Sequence, residues 1–124
     1  MRNEAVLIVD DNKIMRDTLQ GLLEAKGYSV STCEDAPSAL LLAGKKQFDI
    51  VLADYQLPQM NGDEMVCLLR QQYPDVYIIG FSLANKKQAF LEAGADKFIR
   101  KEHIFAELLR AVENRTRNCV VERI

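Results

Sequence analysis

Ala5-Val6-Leu7-Ile8-Val9-Asp10-Asp11 carries the reading of the fold. Five apolar residues stand in a row, and Val6, Ile8 and Val9 are β-branched, which suits an extended strand. A strand without polar alternation is buried on both faces, the habit of parallel sheets covered by helices on each side. Two carboxylates follow at once, where such a strand would leave the core.

The pattern continues outward from this stretch. Met15, Leu19, Leu22 and Leu23 recur at helical spacing, with Gly27 as the stop. Tyr28 to Cys33 reads as a second strand, with Val30 and Thr32 on one face and Ser29 and Ser31 on the other. Asp35 can cap the next helix with Pro37 in its first turn; that helix carries Leu40 to Ala43 and ends near Gly44. Ile50-Val51-Leu52-Ala53 is a third strand, and Met65, Leu68 and Leu69 mark a helix that stops before Pro74. Val76 to Phe81 is a fourth strand. Lys86 to Ala93 make a short helix stopped by Gly94, and Phe98-Ile99 is a brief fifth strand. Phe105, Leu108, Leu109 and Val112 give a last helix its apolar stripe.

Strands that alternate with helices pair in parallel through right-handed crossovers. We expect a doubly wound, five-stranded parallel α/β domain over residues 1–115. Residues 116–124 read as less regular: a tail, or the start of a linker to an output domain outside this chain.

Composition bounds the function. The chain has 124 residues, 48% hydrophobic and 27% charged, with a net charge of −2. That size suits one domain with a real core. It lacks the basic excess that direct nucleic-acid binding wants. No apolar run reaches the ~18 residues of a membrane span, and the N-terminus lacks a signal peptide's apolar stretch. A cytoplasmic protein is expected. Cys33, Cys67 and Cys119 are widely spaced and form no C-x-x-C; two read as reduced core thiols and one as terminal. His103, the only histidine, reads as a solvated residue near a helix start.

In open parallel sheets, ligands bind outside the carboxyl ends of the strands. Asp10 and Asp11 follow the first strand, Asp54 the third, Ser82 the fourth and Lys101 the fifth. Taken alone, Asp11 or Asn12 would be a helix cap, and Ser82 a turn residue. Together they bring three carboxylates, a hydroxyl and an ammonium to one edge. Crowded aspartates repel, and a divalent cation resolves the conflict. An all-oxygen donor set with few protein ligands suits Mg²⁺. A carboxylate beside such an ion is also a plausible nucleophile towards phosphorus, with metal and lysine neutralising the transferred oxygens.

At these residues the sequence resembles the receiver domains of two-component response regulators, from about Glu4 to Arg115. Leu7 to Asp11 matches the family's first strand and acidic pair. Asp54-Tyr55-Gln56-Leu57-Pro58-Gln59-Met60-Asn61-Gly62 matches its phosphoacceptor loop, Phe81-Ser82 its switch-hydroxyl strand end, and Ala93 to Lys101 the segment leading to its lysine. The resemblance implies a flavodoxin-like sheet of order 2-1-3-4-5. It implies that Asp54 takes a phosphoryl group from a histidine kinase or phosphotransfer protein. Asp11, Asp54 and the Gln56 backbone carbonyl would ligate Mg²⁺, with Asp10 acting through water. Ser82 and Lys101 would bind phosphoryl oxygens, and Phe98 would be the switch aromatic. The output would be a change of partner, or a homodimer on phosphorylation. No enzymatic activity is implied beyond self-phosphorylation and self-dephosphorylation.

Three positions depart from the family pattern. Glu102 follows Lys101 where many members have proline. A non-proline cis bond costs ~3 kcal/mol, so a trans peptide is expected here. Leu83 replaces a small residue after the switch hydroxyl and could narrow access. The helix after Ser82 is short. Gln56 and Ala84 stand where the family tunes hydrolysis; Gln56 offers an amide and Ala84 no group to orient water, so a phosphoryl group that persists longer than in the fastest family members is expected.

Other classes stay open. A pseudo-receiver would keep the fold as a phosphorylation-independent interaction module. A Mg²⁺-dependent hydrolase with an aspartate nucleophile would want an acid/base aspartate where Gln56 stands, and a substrate cap. A flavodoxin-like cofactor binder would want a phosphate loop after the first strand in place of Asp10-Asp11.

Overall fold

A computed structural model describes the backbone of residues 3–123 and the side chains of residues 3–115. The elements alternate as expected: β1 (Ala5–Val9), α1 (Lys13–Glu24), β2 (Ser29–Cys33), α2 (Ala36–Lys45), β3 (Ile50–Asp54), α3 (Gly62–Gln72), β4 (Tyr77–Ser82), α4 (Lys87–Ala93), β5 (Lys97–Arg100) and α5 (Ile104–Arg123). All pairings are parallel, and the sheet order is β2-β1-β3-β4-β5.

Strand alternation sorts the core into two layers. Leu7, Val9, Val51, Ala53 and Ile78 point towards α2, α3 and α4, where Ala36, Ala39, Met65, Leu69 and Phe90 meet them. Val6, Ile8, Leu52, Ile79 and Phe81 point the other way, against Leu19 and Leu23 of α1 and Ile104, Leu108 and Val112 of α5. Each fully buried aliphatic side chain stabilises the fold by ~1.5–3 kcal/mol. β1 and β3 are therefore held from both sides, and their carboxyl ends are fixed points.

Local signals end the helices where they were read. Asp35 accepts a hydrogen bond from the Ser38 N–H at 2.7 Å and caps α2; this bonding lowers the carboxyl's pKa. Gly27 and Gly94 adopt positive φ after α1 and α4. No cis peptide occurs among the described residues, so Lys101–Glu102 is trans.

The last helix needs correction. A 3₁₀ turn, Lys101–His103, precedes α5 and sets its phase. The buried stripe is Ile104, Leu108, Ala111 and Val112, while Phe105 is 51% exposed. In α2, small Ala36 and Ala39 pack against the sheet and Leu41 faces outward, because alanine lets the helix approach closely. In α3, Val66 is buried and Leu68 is not. Cys67 is exposed on α3 and is no core thiol. Cys33 is half-buried, and burial, then Asp35, raises its thiol pKa. His103 is exposed, as expected. The boundary read at residue 115 falls inside α5, and Cys119 with the other side chains from 116 onward lies outside the described residues.

Gly80 makes room for Phe90: a Cβ there would lie 2.4 Å from the Phe90 ring. Gly80→Ala should lower stability by about 1–3 kcal/mol, as overpacking does. Urea denaturation of this variant, Phe90→Leu and the double variant checks it. The double should cost less than the two singles together, and additive costs would refute the contact.

Candidate functional site

β1 and β3 are adjacent in the sheet, with Val9 beside Ala53, so Asp10 and Asp54 emerge side by side. Asp10 is fully buried and Asp54 is 4% exposed. Asp11 is exposed. One carboxylate oxygen from each of the three aspartates lies within 4.8 Å of the others. The question of which residue caps α1 is settled by Asn12, whose Oδ1 accepts from the Met15 N–H at 2.9 Å. Asp11 is thereby left facing the cleft. Asp10 Oδ1 accepts from the Asn12 N–H at 2.9 Å, and Arg16 of α1 donates to the Asp10 carbonyl at 2.8 Å.

Lys101 comes from the far side of the sheet. Its Nζ stands 3.2 Å from Asp10 Oδ2 and 3.3 Å from Asp54 Oδ2. Although within ion-pair distance, Asp10 Oδ2 has no hydrogen bond of good geometry. The buried acid is thus short of a donor or a cation. Burial raises the Asp54 carboxyl from its ordinary value to about 7; the Asp10 charge adds to the rise and Lys101 opposes it. The donor set fits a small hard cation: all oxygen, crowded, and with one oxygen lacking a hydrogen-bond partner.

Ser82 closes the fourth side. It is buried at the end of β4, and its Oγ accepts from the Ala84 N–H at 3.1 Å. Accepting there leaves the hydroxyl proton available to another acceptor. The next residue, Leu83, lines the cleft but is 70% exposed, so it forms a rim and not a plug. Arg100 donates to the Leu83 carbonyl at 2.9 Å and pairs with Glu102 at 3.3 Å. Glu102, the departure after Lys101, thus helps to hold the loop after β4.

The Asp54 loop is tied at both ends. The Tyr55 N–H donates to Phe81 at 3.0 Å and the Gly62 N–H to Tyr55 at 2.7 Å. A Cβ on Gly62 would lie 2.0 Å from the Asp54 carbonyl oxygen, which explains a glycine eight residues after the aspartate. Gln56 lines the cleft. Phe98 is half-buried and outside the cleft lining; it stacks on Phe90 at 5.9 Å, and Phe90 meets Tyr55 edge-on at 5.9 Å.

All the polar site residues read from the sequence therefore meet at one edge. Tyr55, Asn61 and Lys86, which also line the cleft, were not singled out. Tyr55 and Asn61 lie inside the quoted loop, but only the folded loop shows which of its side chains turn inward. Nothing in the sequence around Lys86 sets it apart from Lys87.

Comparison with known proteins gives the family and the fold. The response regulator receiver domain model matches residues 6–113. The response regulator MprA of a Mycobacterium species is 33% identical over 117 residues, covering 90% of this chain and 51% of that protein. The chain thus spans about half the length of the MprA relatives it matches. A CheY-like receiver domain protein from Methanospirillum hungatei superposes with a TM-score of 0.89 at 27% identity, over 98% of this chain and 99% of that one. TrrA of Thermotoga maritima, solved in complex with Mg²⁺-BeF, superposes with a TM-score of 0.83 at 27% identity, over 90% and 97%. The chain belongs to the response regulator receiver domain family. It is a signalling domain of the two-component type. No helix among the described residues is long and apolar enough to cross a membrane.

The raised Asp54 carboxyl sets a pH dependence. Its folded pKa lies above its unfolded one, so its protonated form favours the fold. That contribution is full below about pH 4 and is lost as pH rises through about 7. In EDTA, Asp54→Asn should therefore gain more over the parent at pH 8 than at pH 5, by on the order of 2 kcal/mol. Chemical denaturation at the two pH values measures this, and an equal gain would refute it.

Proposed function

We propose that Asp54 accepts a phosphoryl group from a histidine kinase or phosphotransfer protein, making this domain a phosphorylation-dependent switch. A carboxylate oxygen of Asp54 attacks phosphorus, and an Oδ–P bond forms. The bond from phosphorus to the donor histidine nitrogen breaks, and that nitrogen keeps its electron pair. The observation that carries the reading is a nucleophile-ready arrangement. Asp54 is nearly buried, faces two further carboxylates, and has Lys101 Nζ 3.3 Å from one oxygen.

The crowded oxygen cluster of Asp10, Asp11 and Asp54 fits Mg²⁺, which Asp11, Asp54 and the Gln56 carbonyl would hold, with Asp10 supporting the ion. When bound, it would keep Asp54 ionised and offset charge on the transferred oxygens. TrrA, a structural relative, was solved with Mg²⁺ and a fluoroberyllate group. Lys101 is positioned to hold a phosphoryl oxygen, and Ser82 has a free proton to donate to another. Drawing Ser82 inward pulls on Leu83, whose carbonyl Arg100 holds. The movement would reach β5 and Phe98, and change the contacts offered to a partner or a second copy. Phe98 has no hydroxyl, so its response is one of packing alone.

Intact mass after incubation with Mg²⁺ and acetyl phosphate tests the reading. The parent should gain one phosphoryl group, and neither Asp54→Asn nor the parent in EDTA should. No gain, together with no Mg²⁺-dependent rise in Tm, would favour the pseudo-receiver instead. We further infer a slow loss of the phosphoryl group, because Ala84 cannot orient water. Ala84→Glu should change the rate of phosphate release several-fold. A rate equal to the parent's would count against this assignment.

A further inference from the structure

Lys86 is a second cation in the cleft wall. It lines the same cleft as Asp11, Asp54, Ser82 and Lys101. It is half-buried, and its Nζ sits 4.6 Å from the centre of the Tyr55 ring, a cation–π distance. Tyr55 is itself braced by Phe90, so the platform under the ammonium is rigid. Among the described residues Lys86 makes no ion pair. Lys101, by contrast, is committed to Asp10 and Asp54. The next residue, Lys87, is exposed and lines no part of this cleft.

Charge makes Lys86 useful. With Lys86 set aside, three ionised aspartates and Lys101 leave a net charge of −2 in the cleft. A divalent cation would neutralise it, and an incoming phosphoryl dianion would make it negative again. A pre-positioned ammonium with no carboxylate partner can offset that new charge without first breaking an ion pair.

We propose that Lys86, held on the Tyr55 ring, contacts the phosphoryl oxygens of the phosphodonor and sets the affinity for anionic donors. This rests on the phosphoacceptor role proposed for Asp54. With acetyl phosphate, the Asp54 oxygen forms its bond to phosphorus while the P–O bond to the acetyl group breaks. Acetate leaves with the electron pair, and Lys86 keeps its proton throughout.

The test compares the parent with Lys86→Gln, Lys86→Arg and the charge-matched control Lys87→Gln. Phosphorylation rate is measured against acetyl phosphate concentration at saturating Mg²⁺. Mg²⁺ affinity is measured separately, from tyrosine fluorescence without any phosphodonor. Lys86→Gln should raise the half-saturating acetyl phosphate about 3- to 10-fold and leave the plateau rate within about twofold. Removing a cation from the cleft should at the same time tighten Mg²⁺ binding about twofold. Lys86→Arg should restore the donor affinity, and Lys87→Gln should move neither quantity. The opposite signs separate a lost contact from a damaged fold, which would weaken both ligands. Lys86→Gln curves that overlay the parent's, or that match those of Lys87→Gln, would overturn the Lys86 role alone. A parent that Mg²⁺ and acetyl phosphate leave unlabelled would overturn the phosphoacceptor reading, and the Lys86 role with it.

Discussion

Two buried carboxylates, Asp10 and Asp54, share one ammonium group, that of Lys101. Burying a single unpaired charge is costly, and burying two of like sign is costlier. The fold meets this demand with rigidity. Asp10 is fixed at the end of a strand packed on both faces, Asp54 at the end of its neighbour, and Lys101 at the start of the turn after β5. Each group arrives on a backbone whose register is set by core packing far from the site. The repulsion cannot relax by moving the groups apart, so it is expressed as affinity for protons or for cations.

Much of this was legible in the sequence, for physical reasons. Continuous apolar runs mark strands buried on both faces, and the residue after each run is forced to the sheet edge. That places Asp10, Asp11, Asp54, Ser82 and Lys101 together from the sequence alone. The glycines at 27 and 94 were legible because only a few residues tolerate their backbone conformation. The phase of the last helix was not. A 3₁₀ turn of three residues rotates α5 so that Ile104, and not Phe105, faces the core. Periodicity fixes a stripe only relative to a starting point, and a short tight turn hides that point. Cys67 was misplaced for a similar reason, since a buried stripe one residue away decides its exposure.

Contacts between loops carry no periodic signal at all. Arg100 reaching the Leu83 carbonyl, and Lys86 resting on Tyr55, each join residues that only the folded sheet brings together. The same holds for the ring stack from Tyr55 through Phe90 to Phe98, which runs from the cleft wall to the fifth strand. Gly80 makes that stack possible by leaving Phe90 a place directly against the sheet. The departures from the family pattern also take on structural meaning. Glu102 pairs with the arginine that anchors the loop after β4, and Leu83 forms a rim at the cleft mouth.

The Asp54 loop behaves unlike most connections between secondary-structure elements. Surface loops usually absorb insertions at little cost, since closure entropy grows slowly with length. This one is a closed ring. The Gly62 N–H is bonded to Tyr55, and the Gly62 Cα presses so close to the Asp54 carbonyl that no side chain fits between them. Leu57 anchors the middle in the core, and Gln59 takes up a left-handed backbone to complete the circuit. Its length is therefore as constrained as a strand register. Chains that descend from this one should vary the identities of the exposed loop residues long before they gain or lose one.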